Sequence, residues 1–148
     1  MSCINCPVDY SLVTLGSKTK CLKYATKAEI SSAVTICEKD GTKPPLPKGQ
    51  QENADLLAFF FSKRNRSEES FALDLNDVET ESKFVNSIGE KALYTNWYRN
   101  EPDNKNNNQH YVVMWDDGQW NDYPGDFATT IICQLDCKKS KLVTSYAF

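Results

Sequence analysis

The chain has 148 residues, a length that suits one domain with a hydrophobic core of its own, and we expect a single domain over residues 1–148. Hydrophobic residues make up 40% and charged residues 25%, which excludes collagen-like, coiled-coil and disordered chains. The 17 basic and 20 acidic residues give a net charge of −3, which disfavours binding to nucleic acid or to an anionic membrane surface. No apolar stretch reaches the roughly 18 residues that a membrane span needs, so a soluble protein is expected.

The six cysteines of the sequence are concentrated near its two ends. They are Cys3, Cys6, Cys21, Cys37, Cys133 and Cys137. Their even number favours disulfides formed in an oxidising compartment, so a secreted, extracellular protein is expected. The alternative is a zinc site in which Cys3, Cys6, Cys133 and Cys137 supply four thiolates, although it leaves two cysteines over. The first residues lack the pattern of a signal peptide, so we expect that a secreted form has lost a leader.

The first elements that the sequence predicts are a hairpin and a helix. Apolar stretches at 10–13 and 20–24 flank a Gly16-Ser17 turn, a pattern that predicts the hairpin. Thr26 stands three residues before Glu29, which is the spacing of a capping box and predicts the start of the helix. Apolar residues follow at helical spacing before a glycine stop: Ile30, Ala33, Val34, Cys37 and then Gly41.

A second helix is predicted from about Gln50 to Arg64. Three prolines before it enforce an extended linker between the two helices. Its apolar positions recur at i, i+3, i+4 and i+7, which predicts that this stripe faces the core. The stripe consists of Ala54, Leu57, Ala58 and Phe61.

The second half of the sequence predicts strands around a long irregular segment. Strand signals occur at 71–75, at 111–115, from Trp120 onward and at 129–135, and the Asp117-Gly118 pair predicts a hairpin turn. Residues 76–109 carry few periodic signals, yet they contain Trp97 and Tyr98, which argues against disorder. Helices early and antiparallel strands late predict an α+β fold, and the long segment is where we expect the functional residues.

An ordered series of motifs resembles the C-type lectin-like domain family over nearly the whole chain. In chain order the motifs are Cys6-Pro7, Cys21, Cys37, Glu52-Asn53, Phe71-Ala72-Leu73-Asp74-Leu75, Thr95-Asn96-Trp97, Glu101-Pro102-Asp103, Val112-Val113-Met114, Gly118-Gln119-Trp120-Asn121-Asp122 and Ile131-Ile132-Cys133-Gln134. The resemblance implies two helices packed on two small antiparallel sheets, with a long irregular calcium-binding loop and disulfides. An enzyme is not expected, because the sequence lacks the usual combinations of nucleophile and base.

The resemblance also implies the disulfide pairing. It pairs Cys37 with Cys133 and Cys6 with Cys21, which leaves Cys3 and Cys137 for each other. A further family disulfide in the binding half is missing, since Tyr111 stands at one position and its partner cysteine is absent as well. We therefore expect the long loop to be less tethered and more dependent on calcium for its order.

A calcium site is implied by the resemblance at the end of the long loop and on the strand after it. Its ligands would be Glu101, Asp103, Gln109, Asn121 and Asp122, and the same residues would bind carbohydrate. They offer the carboxylate and amide oxygens that Ca²⁺ prefers. In the family Pro102 follows the first ligand in a cis peptide, and Trp120 packs beneath the loop. The stretch 104–109 taken alone favours a solvated loop tip, because asparagine is common in turns.

The triplet Glu101-Pro102-Asp103 departs from the sugar code of the family. Family sites most often have Glu-Pro-Asn, associated with mannose-type sugars, or Gln-Pro-Asp, associated with galactose-type sugars. Gln109 stands where mannose-type members have a glutamate ligand, so the carboxylate count stays the same and calcium binding should survive. A sugar hydroxyl has one proton and cannot satisfy two carboxylates, so we expect weakened or shifted sugar binding.

A second, auxiliary calcium position of the family matches four residues here. Asp77 and Glu81 keep the family's residue types, whereas Asn104 and His110 depart from them, so a weak second site is expected at most. His110, the only histidine, is expected to be an exposed loop residue.

The function implied is calcium-dependent binding of a glycan or glycoprotein by a secreted lectin domain. The alternative is a lectin-like module that binds a protein ligand, such as a host or cell-surface receptor, with calcium only ordering the loop. No heptad segment for trimerisation is present, so a monomer or a weak dimer is expected.

Overall fold

The computed structural model describes residues 5–136, which contain two α-helices and six strands. The strands are β1 (Ser11–Leu15), β2 (Lys18–Glu29), β3 (Ser70–Asn76), β4 (Tyr111–Trp115), β5 (Trp120–Tyr123) and β6 (Ala128–Leu135). The helices are α1 (Ala33–Glu38), which follows a 3-10 turn at Ile30–Ser32, and α2 (Gln50–Lys63). Neither helix of this described part has the length and apolar character needed to cross a bilayer.

The strands form one mixed sheet in the order β1-β2-β6-β3-β4-β5. Its two three-stranded halves, β1-β2-β6 and β3-β4-β5, are antiparallel, as the resemblance implies. A parallel pairing of β3 with β6 at Phe71 and Thr130 joins the halves, so the two expected sheets are continuous. The Ser70 and Thr129 hydroxyls lie 2.8 Å apart in a buried hydrogen bond at the same junction, which supports this pairing.

The core lies on both faces of the sheet. Consecutive residues of a strand point to opposite faces, and accordingly Phe71 and Ala72 of β3 belong to different hydrophobic clusters. One cluster contains α2 residues and Trp120, while the other contains α1 and its disulfide. Burying a large apolar side chain contributes about 1.5–3 kcal/mol, so the two clusters hold β4 and β5 firmly in place.

The predicted capping box at Thr26 is wrong. β2 continues through Thr26 to Glu29 and pairs with β6, with Thr26 opposite Ile131. The Thr26 hydroxyl donates to the backbone oxygen of Lys27, at 3.5 Å, and no side chain caps the turn that begins at Ile30. Pairing with a buried central strand thus outweighs the local capping signal.

The second helix is confirmed, but the predicted buried face is wrong. The residues that α2 buries are Asn53, Leu56, Phe59 and Phe60, and Phe61 is 43% exposed. Three large apolar side chains lie on this face, and Asn53 anchors the same face to the β4–β5 hairpin. Its side-chain amide donates to the Gly118 oxygen at 2.9 Å, and its Oδ1 accepts from Trp120 Nε1 at 2.8 Å.

Two disulfides tie the described part of the chain together. Cys6–Cys21 links the N-terminal segment to β2, and Cys37–Cys133 links α1 to β6, which are the two pairings that the resemblance implies. The zinc alternative is wrong, because it needs Cys6 and Cys133 as thiolates. The third expected pair, Cys3 with Cys137, lies outside the described residues.

Candidate functional site

An aromatic cluster fixes the long segment between β3 and β4 on the sheet. Trp120 is fully buried and contacts the rings of Trp97 and Tyr94, with centroids 5.9 Å and 5.8 Å away. Phe84 extends the cluster, since its ring lies 5.1 Å from that of Trp97. The expectation that Trp120 packs beneath the loop is confirmed.

Backbone hydrogen bonds on both sides of Trp120 place the Glu101 segment beside β5. Trp120 N donates to the Asn96 oxygen, and Tyr98 N donates to the Trp120 oxygen, both at 2.9 Å. Glu101 N donates in turn to the Tyr98 oxygen at 2.9 Å. The Glu101–Pro102 peptide is cis, as in the family pattern.

Three carboxylates meet where this segment crosses β5. Oxygens of Glu101, Asp103 and Asp122 lie within 4.8 Å of one another. Asp122 is 1% exposed, and its two oxygens accept from the backbone N–H groups of Asp103, at 3.2 Å, and Asn104, at 2.9 Å. These bonds fix the Asp122 carboxylate so that it faces the other two.

The two predicted amide ligands differ in how they relate to the cluster: Gln109 lies beside Asp103, and Asn121 directly precedes Asp122 in β5. Lys105 N donates both to Asp103 Oδ1, at 3.2 Å, and to Gln109 Oε1, at 3.0 Å, so these two oxygens are neighbours. Asn121 Oδ1 is buried and has no hydrogen-bond partner within the described residues. An unsatisfied buried acceptor costs about 1–3 kcal/mol, which a bound cation would offset.

The crowding of charge is visible in Glu101. Desolvation, the hydrogen bond with Asp122 and the charges of Asp103 and Asp122 raise the pKa of Glu101 to about 7. A divalent cation among these oxygens would reverse that effect, because it favours the ionised carboxylate. Three carboxylates with an unpaired amide oxygen therefore fit a hard cation such as Ca²⁺. The neighbouring tip, residues 105–108, is exposed, as expected of a solvated loop.

A second cluster joins the two ends of the long loop. His110 Nδ1 lies 3.0 Å from Asp77 Oδ1 and 3.5 Å from Glu81 Oε1. The pKa of Glu81 is raised, first by desolvation and then by Asp77, through a hydrogen bond and through its negative charge. The prediction of an exposed His110 is wrong, since its side chain is only 29% exposed and occupies the space between the acids. Asn104 does not join this cluster in any contact described; its Oδ1 accepts from Gln109 N at 2.9 Å.

The resemblance grouped His110 with Asp77 and Glu81, but the prediction of an exposed loop residue missed the contact of its ring with Asp77, 33 residues away. The signal available was its position directly before β4, where Asp77 N donates to the His110 backbone oxygen at 3.0 Å. Asp77 directly follows β3 and His110 directly precedes β4, and these two strands are antiparallel neighbours. The predicted strands could therefore have indicated that Asp77 and His110 lie side by side.

The family model of the lectin C-type domain matches residues 26–135. The chain belongs to the C-type lectin domain family. The carboxylate cluster, the cis peptide and the Trp120 packing described above all lie within the matched part of this C-type lectin domain. Members of the family are generally binding modules for carbohydrate without enzymatic activity.

Solved structures similar to this C-type lectin domain support the same fold. The mouse scavenger receptor C-type lectin carbohydrate-recognition domain is 24% identical, with a TM-score of 0.76, and the match covers 90% of this chain and 98% of that one. The C-type lectin CEL-I from Cucumaria echinata is 21% identical, with a TM-score of 0.79 and coverage of 90% and 99%. A calcium-independent type II antifreeze protein is also similar, at 16% identity, a TM-score of 0.72 and coverage of 88% and 94%.

Proposed function

We propose that this C-type lectin domain binds glycans in a calcium-dependent manner outside the cell. Glu101, Asp103, Asn121 and Asp122 would hold the ion, with Gln109 beside Asp103. The observation that carries the proposal is the convergence of three carboxylates, with a buried and unpaired amide oxygen on Asn121, the residue before Asp122 in β5. The family's general ability to bind carbohydrate supports it, and the two disulfides support an oxidising, extracellular location.

Calcium, when bound, would supply coordination sites for vicinal sugar hydroxyls. The protein's part is to accept and donate hydrogen bonds to those hydroxyls. With calcium bound, Glu101 and Asp103 would both be ionised and would offer acceptors only. The oxygen of Gln109 is engaged by Lys105 N, which leaves its Nε2 group to donate, and Asn121 offers a second amide donor.

This separation of donors from acceptors distinguishes the site from one with an acceptor and a donor for each hydroxyl. A hydroxyl between two carboxylates can donate to only one of them, and the other loses its partner. We propose that mannose-type and galactose-type monosaccharides therefore bind more weakly than to such a site. The binding free energy is smaller by roughly 1–3 kcal/mol, which is about a 5-fold to 150-fold loss in affinity.

The experiment is a calorimetric titration with calcium and then with methyl mannoside and methyl galactoside. The parent protein is compared with the double variant Asp103→Asn/Gln109→Glu, which keeps the carboxylate count, and with Glu79→Gln, a control at an exposed residue outside the proposed ligand set. We expect calcium binding in all three and stronger mannoside binding only in the double variant. Unchanged sugar affinity in the double variant would refute the donor–acceptor argument, and absence of calcium binding by the parent would refute the metal site.

The second candidate function is binding of a protein ligand with calcium only ordering the loop. The exposed apolar residues of the long segment favour it: Val78, Ile88 and Leu93 are 55%, 60% and 84% exposed. The contribution of these apolar residues to ligand binding can be measured separately from sugar binding. Ligand binding that persists in chelator and is lost in Leu93→Ser, with no competition by free sugars, would favour this function.

A further inference from the structure

A cavity of about 290 Å³ opens beside the carboxylate cluster, between the segment before Glu101 and the β4–β5 hairpin. Its lining residues are Tyr98, Trp115, Asp116, Asp117, Asn121 and Tyr123. Of these only Asn121 belongs to the proposed calcium site. The cavity is therefore a neighbouring space with its own chemistry, and an inference about it goes beyond the proposed function.

The aromatic walls of the cavity are held by the sheet. The Trp115 and Tyr123 rings lie 5.9 Å apart at an interplanar angle of 59°, and Tyr123 stacks on Phe127 at 4.1 Å. Tyr98 is fixed through its backbone, which donates to Trp120 and accepts from Glu101, while its side chain is 49% exposed. Three π systems are thus held around a space that is open to solvent at Tyr98.

The polar groups around the cavity carry uncompensated negative charge. No lysine or arginine of residues 5–136 lines it. Arg64, which does not line the cavity, neutralises the Asp116 carboxylate, since its Nη1 lies 3.3 Å from Asp116 Oδ2. Asp117 accepts only the Gln119 N–H, at 2.8 Å, and has no ion pair within residues 5–136. The rim therefore offers a carboxylate without a cation.

We infer that this cavity binds an aliphatic ammonium group. Aromatic faces attract a cation within about 6 Å of the ring centroid, and three aromatic side chains line this space. Asp117 adds the charge complementarity that an uncharged sugar or an apolar side chain would not use. The chemistry suits two sources, a quaternary ammonium as in choline and the free amine of an amino sugar.

The test uses choline and glucosamine as probes, added to the parent protein in saturating calcium. Binding is followed by tryptophan fluorescence and by the indole N–H signal of Trp115 in NMR spectra. The uncharged tert-butyl isostere of choline and N-acetylglucosamine are the matched neutral probes. We expect each charged probe to bind at least about fivefold more tightly than its neutral counterpart, since exposed cation–π contacts contribute about 0.5–1 kcal/mol each. The tighter of the two charged probes identifies the source.

Variants separate the cavity from the calcium site. Tyr98→Ala and Asp117→Asn each weaken choline binding roughly threefold to fivefold, whereas Tyr98→Phe and Glu79→Gln, a residue that does not line the cavity, leave it unchanged. Glu101→Gln impairs calcium binding but not choline binding. Equal affinity for choline and its neutral isostere, or loss of choline binding when calcium is added, would overturn the inference. The second result would mean that the probe occupies the carboxylate cluster, and neither result depends on whether glycans bind.

Discussion

The raised pKa of Glu101 predicts that calcium affinity depends on pH. Because this carboxyl titrates near pH 7 when the ion is absent, calcium must displace a proton from it in mildly acidic solution. For one competing proton, the apparent calcium affinity falls roughly tenfold between about pH 8 and about pH 6. One proton per ion is released toward the lower end of this range and almost none at the upper end.

The stability of the calcium-free protein depends on pH in the opposite direction, because it falls as the pH rises. The pKa of Glu101 is higher in the folded protein than in the unfolded chain, so the folded state binds more protons between the ordinary glutamate pKa and about 7. Its contribution to stability is fully present below the ordinary pKa and is lost as the pH rises through about 7. In saturating calcium this loss disappears, because the ion replaces the proton.

The assay is calorimetric calcium titration across this pH range in buffers of different ionisation heat, which counts the released protons directly. Glu101→Gln is the informative variant, since it removes the proton competitor together with one ligand. We expect it to bind calcium more weakly and with a much flatter pH dependence. A parent affinity that is constant from about pH 8 to about pH 6, with no proton release, would refute the reasoning.

Three further predictions concern the loop, the core and the disulfide. Parent protein should bind one calcium ion per chain because His110 occupies the auxiliary cluster, and His110→Asp should add a second, weaker site in calorimetry; unchanged stoichiometry would contradict this. Asn53→Ala should lower the free energy of unfolding by about 1–3 kcal/mol in urea, because it leaves Trp120 Nε1 unpaired, while the Gly118 oxygen keeps the Asn96 side-chain amide at 2.7 Å; a loss below about 1 kcal/mol would argue against the anchor. Replacing Cys37 and Cys133 together by alanine should cost about 2–5 kcal/mol in the same assay, and an unchanged midpoint would show that the bridge contributes nothing.

Strands and loop boundaries were largely predictable from the sequence, because their signals are local. The predicted strand at 111–115 coincides with β4, and β5 opens at Trp120 as predicted. The long segment of irregular structure lies where periodicity is lost. Such elements are specified by alternating apolar residues and by turn residues within a few positions of one another.

The errors arise where tertiary contacts override a local pattern. Thr26 has the spacing of a cap but lies in a strand paired with β6. The face that α2 buries carries Leu56, Phe59 and Phe60 as well as Asn53, which bonds to residues 65 and 67 positions away. Leu56, Phe59 and Phe60 have the same i, i+3 and i+4 spacing as the predicted stripe, so periodicity alone did not choose between the two faces. Asn53 gave no signal, since asparagine counts as an exposed residue in an amphipathic pattern.

The candidate site was predictable in its residue types but not in its hydrogen bonding. The motifs predicted Glu101, Asp103 and Asp122 as calcium ligands, and the fold places their oxygens within 4.8 Å of one another. The unpaired Asn121 Oδ1 and the shared Lys105 N–H depend on how the loop crosses β5, which spacing along the chain does not encode.

Calcium-dependent glycan recognition is tested most directly by a glycan array probed in calcium and in chelator. The parent protein and Glu101→Gln are compared, after their folded fractions have been matched by near-ultraviolet circular dichroism. We predict parent binding to a subset of glycans in calcium, its loss in chelator, and a marked reduction for Glu101→Gln. Binding that is unaffected by chelator, or no glycan bound by the calcium-loaded parent, would contradict the account.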